Sequence, residues 1–95
     1  MTLNDKTRIM VAPDVLVQPL EGESILLSMQ SGTYFGLNRV GTRMWQAVTT
    51  APSLADAVQA LATTYDAPTA TLRADLHELL HQLLQKGLVR VETQP

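Results

Sequence analysis

The chain is expected to fold as an α+β domain, a three-stranded antiparallel sheet followed by three helices in a winged helix-turn-helix-like arrangement. Two observations lead there. Ahead of about residue 38, β-branched and aromatic residues alternate with polar ones; after it, leucine and alanine recur at helical spacing. A length of 95 residues supports one modest core and leaves no room for a second lobe. Residues 1–95 are therefore expected to form a single domain, with an ordered core of about residues 9–91.

The elements follow in order. Val15 to Gln18 reads as a short strand ending at Pro19, with Glu21-Gly22-Glu23 as a turn. Ser24 to Gln30 places Ile25, Leu27 and Met29 on one side and mostly polar residues on the other, the pattern of a half-buried strand with those three side chains inward. Ser31-Gly32 signals a tight turn, and Thr33 to Leu37 follows as a third strand on which Phe35 and Leu37 share a face.

Asn38 is a good N-cap for a first helix whose stripe is Val40, Met44, Trp45 and Val48. Pro52 breaks it. Ser53 opens a second helix, with Asp56 three residues on in a capping-box-like relation, and Leu54, Ala57, Val58, Leu61 and Tyr65 forming its buried stripe. Asp66-Ala67-Pro68 ends that helix. A third runs from about residue 69 to Lys86, with Gly87 as C-cap, and Leu88 to Val91 forms a short extended tail.

Composition removes several classes of function. The chain has no cysteine, so no disulfide frame or thiolate metal site is available, and a reducing cytoplasm suits it. Its N-terminus lacks a basic head followed by an apolar run, and no stretch reaches the length of a membrane span. A soluble, cytoplasmic protein is expected. Seven basic against nine acidic residues give a formal charge of −2, spread without blocks, which leaves no electrostatic footprint for nucleic acid or anionic lipid.

Residues 77–81 read HELLH, which matches the H-E-x-x-H pattern of zinc peptidases. At about 100° per residue, Leu72, Leu76, Leu79, Leu80 and Leu83 fall within an arc of roughly 100°, and this is the face that must be buried. His77 falls outside that arc and His81 further still. A zincin helix needs both histidines turned into a cleft and a third protein ligand, and the chain contains only these two histidines. His77, Glu78 and His81 are therefore read as solvated helix residues, with no metal and no cofactor. The glycines lack the spacing of a phosphate loop, and no serine lies in a G-x-S-x-G elbow. A non-enzymatic binding domain is the expectation.

Two kinds of ligand remain. A winged-helix unit can place its third helix in the DNA major groove, but here that helix exposes Asp75, Glu78, Gln82 and Gln85 with only Arg73 and Lys86 as cations. It forfeits the phosphate contacts on which such affinity rests. A DNA-binding transcriptional regulator is thus the alternative reading. The other ligand is a peptide: if the third strand lies at a sheet edge, its free N–H and C=O groups can accept an extended chain beside the leucine-rich third helix. The plain reading of Tyr34, Phe35, Leu37 and the helix leucines is ordinary core, and for most of them both readings apply. An open edge also makes strand-mediated homodimers an expectation.

The run Ser31-Gly32-Thr33-Tyr34-Phe35-Gly36-Leu37-Asn38-x-Val40-Gly41-Thr42-x-Met44-Trp45 resembles the PqqD-like family, which includes pyrroloquinoline-quinone synthesis protein D and the stand-alone leader-recognition proteins of lasso-peptide biosynthesis. Ser53-Leu54, Tyr65-Asp66-x-Pro68, Asp75-Leu76, Leu79-Leu80, Leu83 and Gly87-Leu88-Val89 extend the likeness over roughly residues 9 to 91. It implies a winged-helix domain without catalysis of its own. Such a domain holds the leader segment of a ribosomally made precursor peptide and presents it to a maturation enzyme, a radical-SAM protein or a leader peptidase. Carried over by position, Thr33, Tyr34, Phe35, Gly36 and Leu37 would offer the backbone edge. Leu72, Asp75, Leu76, Leu79 and Leu83 would form the helix wall of the groove. HELLH is not part of the family pattern.

Overall fold

A computed structural model describes residues 3–93. The elements are β1 (Thr7–Val11), β2 (Val15–Leu20), β3 (Glu23–Ser28), β4 (Tyr34–Leu37), α1 (Arg39–Thr50), α2 (Leu54–Thr64), α3 (Thr69–Gln85) and β5 (Val89–Thr93). Strands β2, β3 and β4 form the expected three-stranded antiparallel sheet, in that order. Three helices follow it, as the change of periodicity near residue 38 implies.

A second, two-stranded sheet was not expected. Its first strand, β1, pairs antiparallel with β5, from Thr7 opposite Thr93 to Val11 opposite Val89. The tail expected over Leu88 to Val91 is thus the partner of a strand at the opposite end of the chain. Ahead of β1, Leu3 enters the core, the Asp5 carbonyl accepts from the Ala55 amide at 3.1 Å, and the Asp5 carboxylate pairs with Arg73 of α3. The N-terminal segment is therefore fastened to α2 and α3.

The helix ends obey local capping chemistry. The Asn38 side chain accepts from the Gly41 amide at 2.8 Å, and Ser53 accepts from the Asp56 amide at 3.3 Å. Past Lys86, Gly87 takes φ +71°, the Gly87 amide bonds the Leu84 carbonyl and the Leu88 amide bonds the Leu83 carbonyl. This is a Schellman ending, with Leu83 and Leu88 both fully buried beside it.

The core joins Leu26 and Leu37 of the sheet to Met44, Trp45 and Val48 of α1, Leu54, Val58 and Leu61 of α2, and Leu72, Leu76, Leu80 and Leu83 of α3. Three expectations need correction. On β3 the inward face is Ser24, Leu26 and Ser28, while Ile25 and Leu27 face outward and Met29 is exposed. The two inward serines are tolerated because each has a partner: the Ser24 hydroxyl lies 2.9 Å from the Thr42 hydroxyl, and the Ser28 hydroxyl accepts from the Ser31 amide at 3.4 Å. Strand β2 does not stop at Pro19 but runs through it to Leu20. On α1, Val40 lies outside the buried stripe and is 45% exposed. The outer sheet face consequently carries a cross-strand row of Leu16, Leu27 and Tyr34.

Candidate functional site

Strand β4 closes one side of the sheet, with β3 on its inner flank and, among the described residues, no strand on its outer one. The ladder register fixes which backbone groups stay free. Ser28 donates to the Thr33 carbonyl at 2.8 Å, and the pairing then runs Leu27–Tyr34, Leu26–Phe35, Ile25–Gly36 and Ser24–Leu37. In an antiparallel ladder, hydrogen-bonded and non-bonded pairs alternate. Thr33 gives its carbonyl to β3 while its amide bonds the Ser31 hydroxyl at 3.3 Å, and Phe35 and Leu37 spend their backbone groups on β3, whereas Tyr34 and Gly36 turn theirs to the open edge. A Cβ built on Gly36 meets nothing within 4 Å, so the space beside it is empty.

Helix α3 lies alongside this edge. Near its C-terminus, the Lys86 ammonium sits 6.0 Å from the centre of the Phe35 ring. Towards its middle, Asp75, Glu78, Leu79 and Gln82 share a cavity of about 280 Å³ with Asn38, Val40, Gly41 and Met44 from the start of α1. A second hollow of about 300 Å³ is lined by Gly36, Leu37 and Asn38 together with Leu20, Glu23, Ser24 and Ile25. Asn38 borders both, so the two hollows adjoin at the end of β4.

The expected site residues divide into two groups. Thr33 to Leu37 form the edge, with Tyr34 71% exposed and Leu37 buried against the helices. On α3, Asp75 and Leu79 line the cavity, but Leu72, Leu76 and Leu83 are buried in the core and present no surface to it. Wall residues that the helical arc did not single out are Glu78 and Gln82 on α3 and Val40 and Met44 on α1. The signal was available: Asp75, Glu78, Leu79 and Gln82 follow an i, i+3, i+4, i+7 spacing, a stripe beside the leucine one.

The HELLH histidines lie away from this groove. His77 is partly buried near the Asp5–Arg73 pair, and its pKa is held below the ordinary histidine value, first by burial and then by the positive charges of Arg73 and His81, with Asp5 opposing. His81 is exposed. Among the described residues, no three His, Cys, Asp or Glu side chains are grouped as metal ligands.

Residues 23–89 match the family of coenzyme PQQ synthesis protein D, PqqD. The chain belongs to the PqqD family. Solved structures similar to this PqqD-family chain include "TbiB1 in Complex with the TbiA(beta) Leader Peptide", at 31% identity and a TM-score of 0.79 over 85% of this chain and 94% of that one. Another is "Lasso peptide synthetase B1 complexed with the leader peptide", at 25% identity and a TM-score of 0.74 over 90% of this chain and 98% of that one. No curated protein matches the sequence. Both structural relatives were solved with a leader peptide bound, and this PqqD-family chain shares their fold over most of its length. No helix among the described residues is long and apolar enough to cross a membrane.

Proposed function

We propose that this protein is a non-catalytic recognition domain for the leader segment of a ribosomally made, post-translationally modified precursor peptide. The leader adds as a strand to β4, and the domain presents the rest of the precursor to a maturation enzyme, a radical-SAM protein or a leader peptidase, in the cytoplasm. The observation that carries this reading is the free β4 edge beside the α3 groove, in a chain 31% identical to a protein whose structure holds a leader peptide. Backbone groups of Tyr34 and Gly36 supply sequence-independent hydrogen bonds, and the hollows against Leu79, Val40 and Met44 read alternate side chains. The acidic stripe of α3 speaks against DNA as the ligand of the same surface.

Amide shift mapping with the leader of a precursor peptide encoded beside the gene tests the proposal. The largest changes should fall on Tyr34, Gly36 and the Asp75–Gln82 stripe. Changes confined to α2 and β5 would overturn it. A salt titration separates the DNA reading, since phosphate-dominated affinity falls by orders of magnitude with added salt and strand addition does not.

A further inference from the structure

The groove along β4 is electrically polarised. At the Phe35 end stands the Lys86 ammonium; at the Asn38 end, two carboxylates, Asp75 and Glu78, stand at the same cavity. Neither carboxylate has an ion-pair partner among the described residues. Between them and α1 the cavity has an apolar lining of Val40, Met44 and Leu79, with Val40 left 45% exposed.

An open apolar hollow bordered by two exposed carboxylates matches a lysine or arginine side chain, whose aliphatic stem packs on hydrocarbon while its head reaches an anion. Strand geometry says which ligand residue arrives there. Residues directly opposite one another across a ladder share a face. A ligand residue opposite Leu37 therefore points, like Leu37, towards the helices, where the cavity opens beside Asn38.

We propose that the cavity between α1 and α3 is a specificity pocket for one basic side chain of the bound peptide, gripped by Asp75 and Glu78. This rests on the strand-addition reading above and adds to it the chemical class of one ligand position. The pocket fixes register, because only one placement of the peptide along β4 sets its lysine or arginine beside Leu37.

The test uses a phage-displayed library of random twelve-residue peptides panned on the intact protein and, in parallel, on a Asp75→Asn/Glu78→Gln variant. Both side chains are exposed, so the variant should keep the wild-type thermal unfolding curve. Wild-type binders should be enriched in lysine or arginine at one position, flanked by apolar residues at alternate positions. Binders to the variant should keep the apolar positions and lose the basic one. In a selected peptide, replacing that lysine by norleucine should weaken wild-type binding about five- to tenfold and leave the variant unaffected. An Asp75→Lys/Glu78→Lys protein should instead select an acidic residue there. The same residue preferences on wild type and variant would overturn the pocket. Selected peptides that bind Gly36→Pro as well as wild type, or a library that yields no binders, would overturn the strand reading beneath it.

Discussion

Pro19 stands directly opposite Ser24 in the β2–β3 ladder, at a position where the missing amide costs the sheet nothing. The Met29 amide bonds the Asp14 carbonyl at 2.8 Å, and alternation from there gives the ladder bonds to Leu16, Gln18 and Leu20. Val15, Val17 and Pro19 direct their backbone outward instead. Proline therefore removes a donor from the free edge of β2, a common way of blunting an edge. The two edges of one sheet are unequal, with β2 obstructed near its C-terminal end and β4 open.

Pro19→Val should restore a continuous β2 edge and raise self-association, with little change in the thermal unfolding of dilute protein. Sedimentation velocity over a concentration series reads the first effect. A variant that stays as monomeric as the wild type would show that Pro19 does not guard the edge.

The same substitution chemistry works in reverse on β4. Gly36→Pro removes a donor that has no partner within the chain, and a side chain there meets no atom within 4 Å, so folding should survive. Leader binding should weaken by about 1 kcal/mol or more, the scale of one lost hydrogen bond. Phe35→Pro is the contrast, because its amide serves the ladder to Leu26 and its loss should lower the unfolding midpoint. Equal loss of stability in both variants would mean that the alternation along β4 has the wrong phase.

How far such assignments were legible from the sequence depended on how local their causes are. Asn38, Ser53 and Gly87 announce helix ends through bonds made within a few residues, and all three behave as expected. The facing of β3 is not local: Ser24 turns inward because Thr42, eighteen residues on, supplies a partner. Alternation alone assigns the larger apolar side chains Ile25 and Leu27 to the inside, and it fails because the outer sheet face is itself apolar. Strand β1 is further out of reach, since its partner β5 lies at the other end of the chain. On α3 the leucine arc located the core, and the groove wall proved to be the neighbouring polar stripe.

The buried Ser24–Thr42 pair yields a stability prediction. Thr42→Val removes the partner of a fully enclosed serine hydroxyl and also the 3.4 Å bond from Thr42 to the Leu37 carbonyl. It should cost about 1–3 kcal/mol, the penalty for an unsatisfied buried group. Adding Ser24→Ala should recover part of that loss, because the stranded hydroxyl is then gone. Denaturant midpoints of the two single variants and the double variant decide it; strictly additive losses would show that the hydroxyls are not coupled.

His77 makes stability depend on pH. Its folded-state pKa lies below the value in the unfolded chain, because burial and the cations of Arg73 and His81 disfavour the protonated ring more than Asp5 favours it. As pH falls below about 6.5, the unfolded chain takes up this proton before the folded one does. Stability therefore declines through that window and levels off once the folded-state histidine is protonated as well. Above the unfolded-state pKa both states hold the neutral ring, and the contribution is constant. His77→Gln, neutral at every pH, should flatten this limb of the curve while leaving the Asp5–Arg73 pair in place. Unfolding midpoints measured from pH 7.5 to 5 for both proteins test it: parallel curves would show that the acid sensitivity arises elsewhere, and a wild type that gains stability on acidification would reverse the sign assigned to His77.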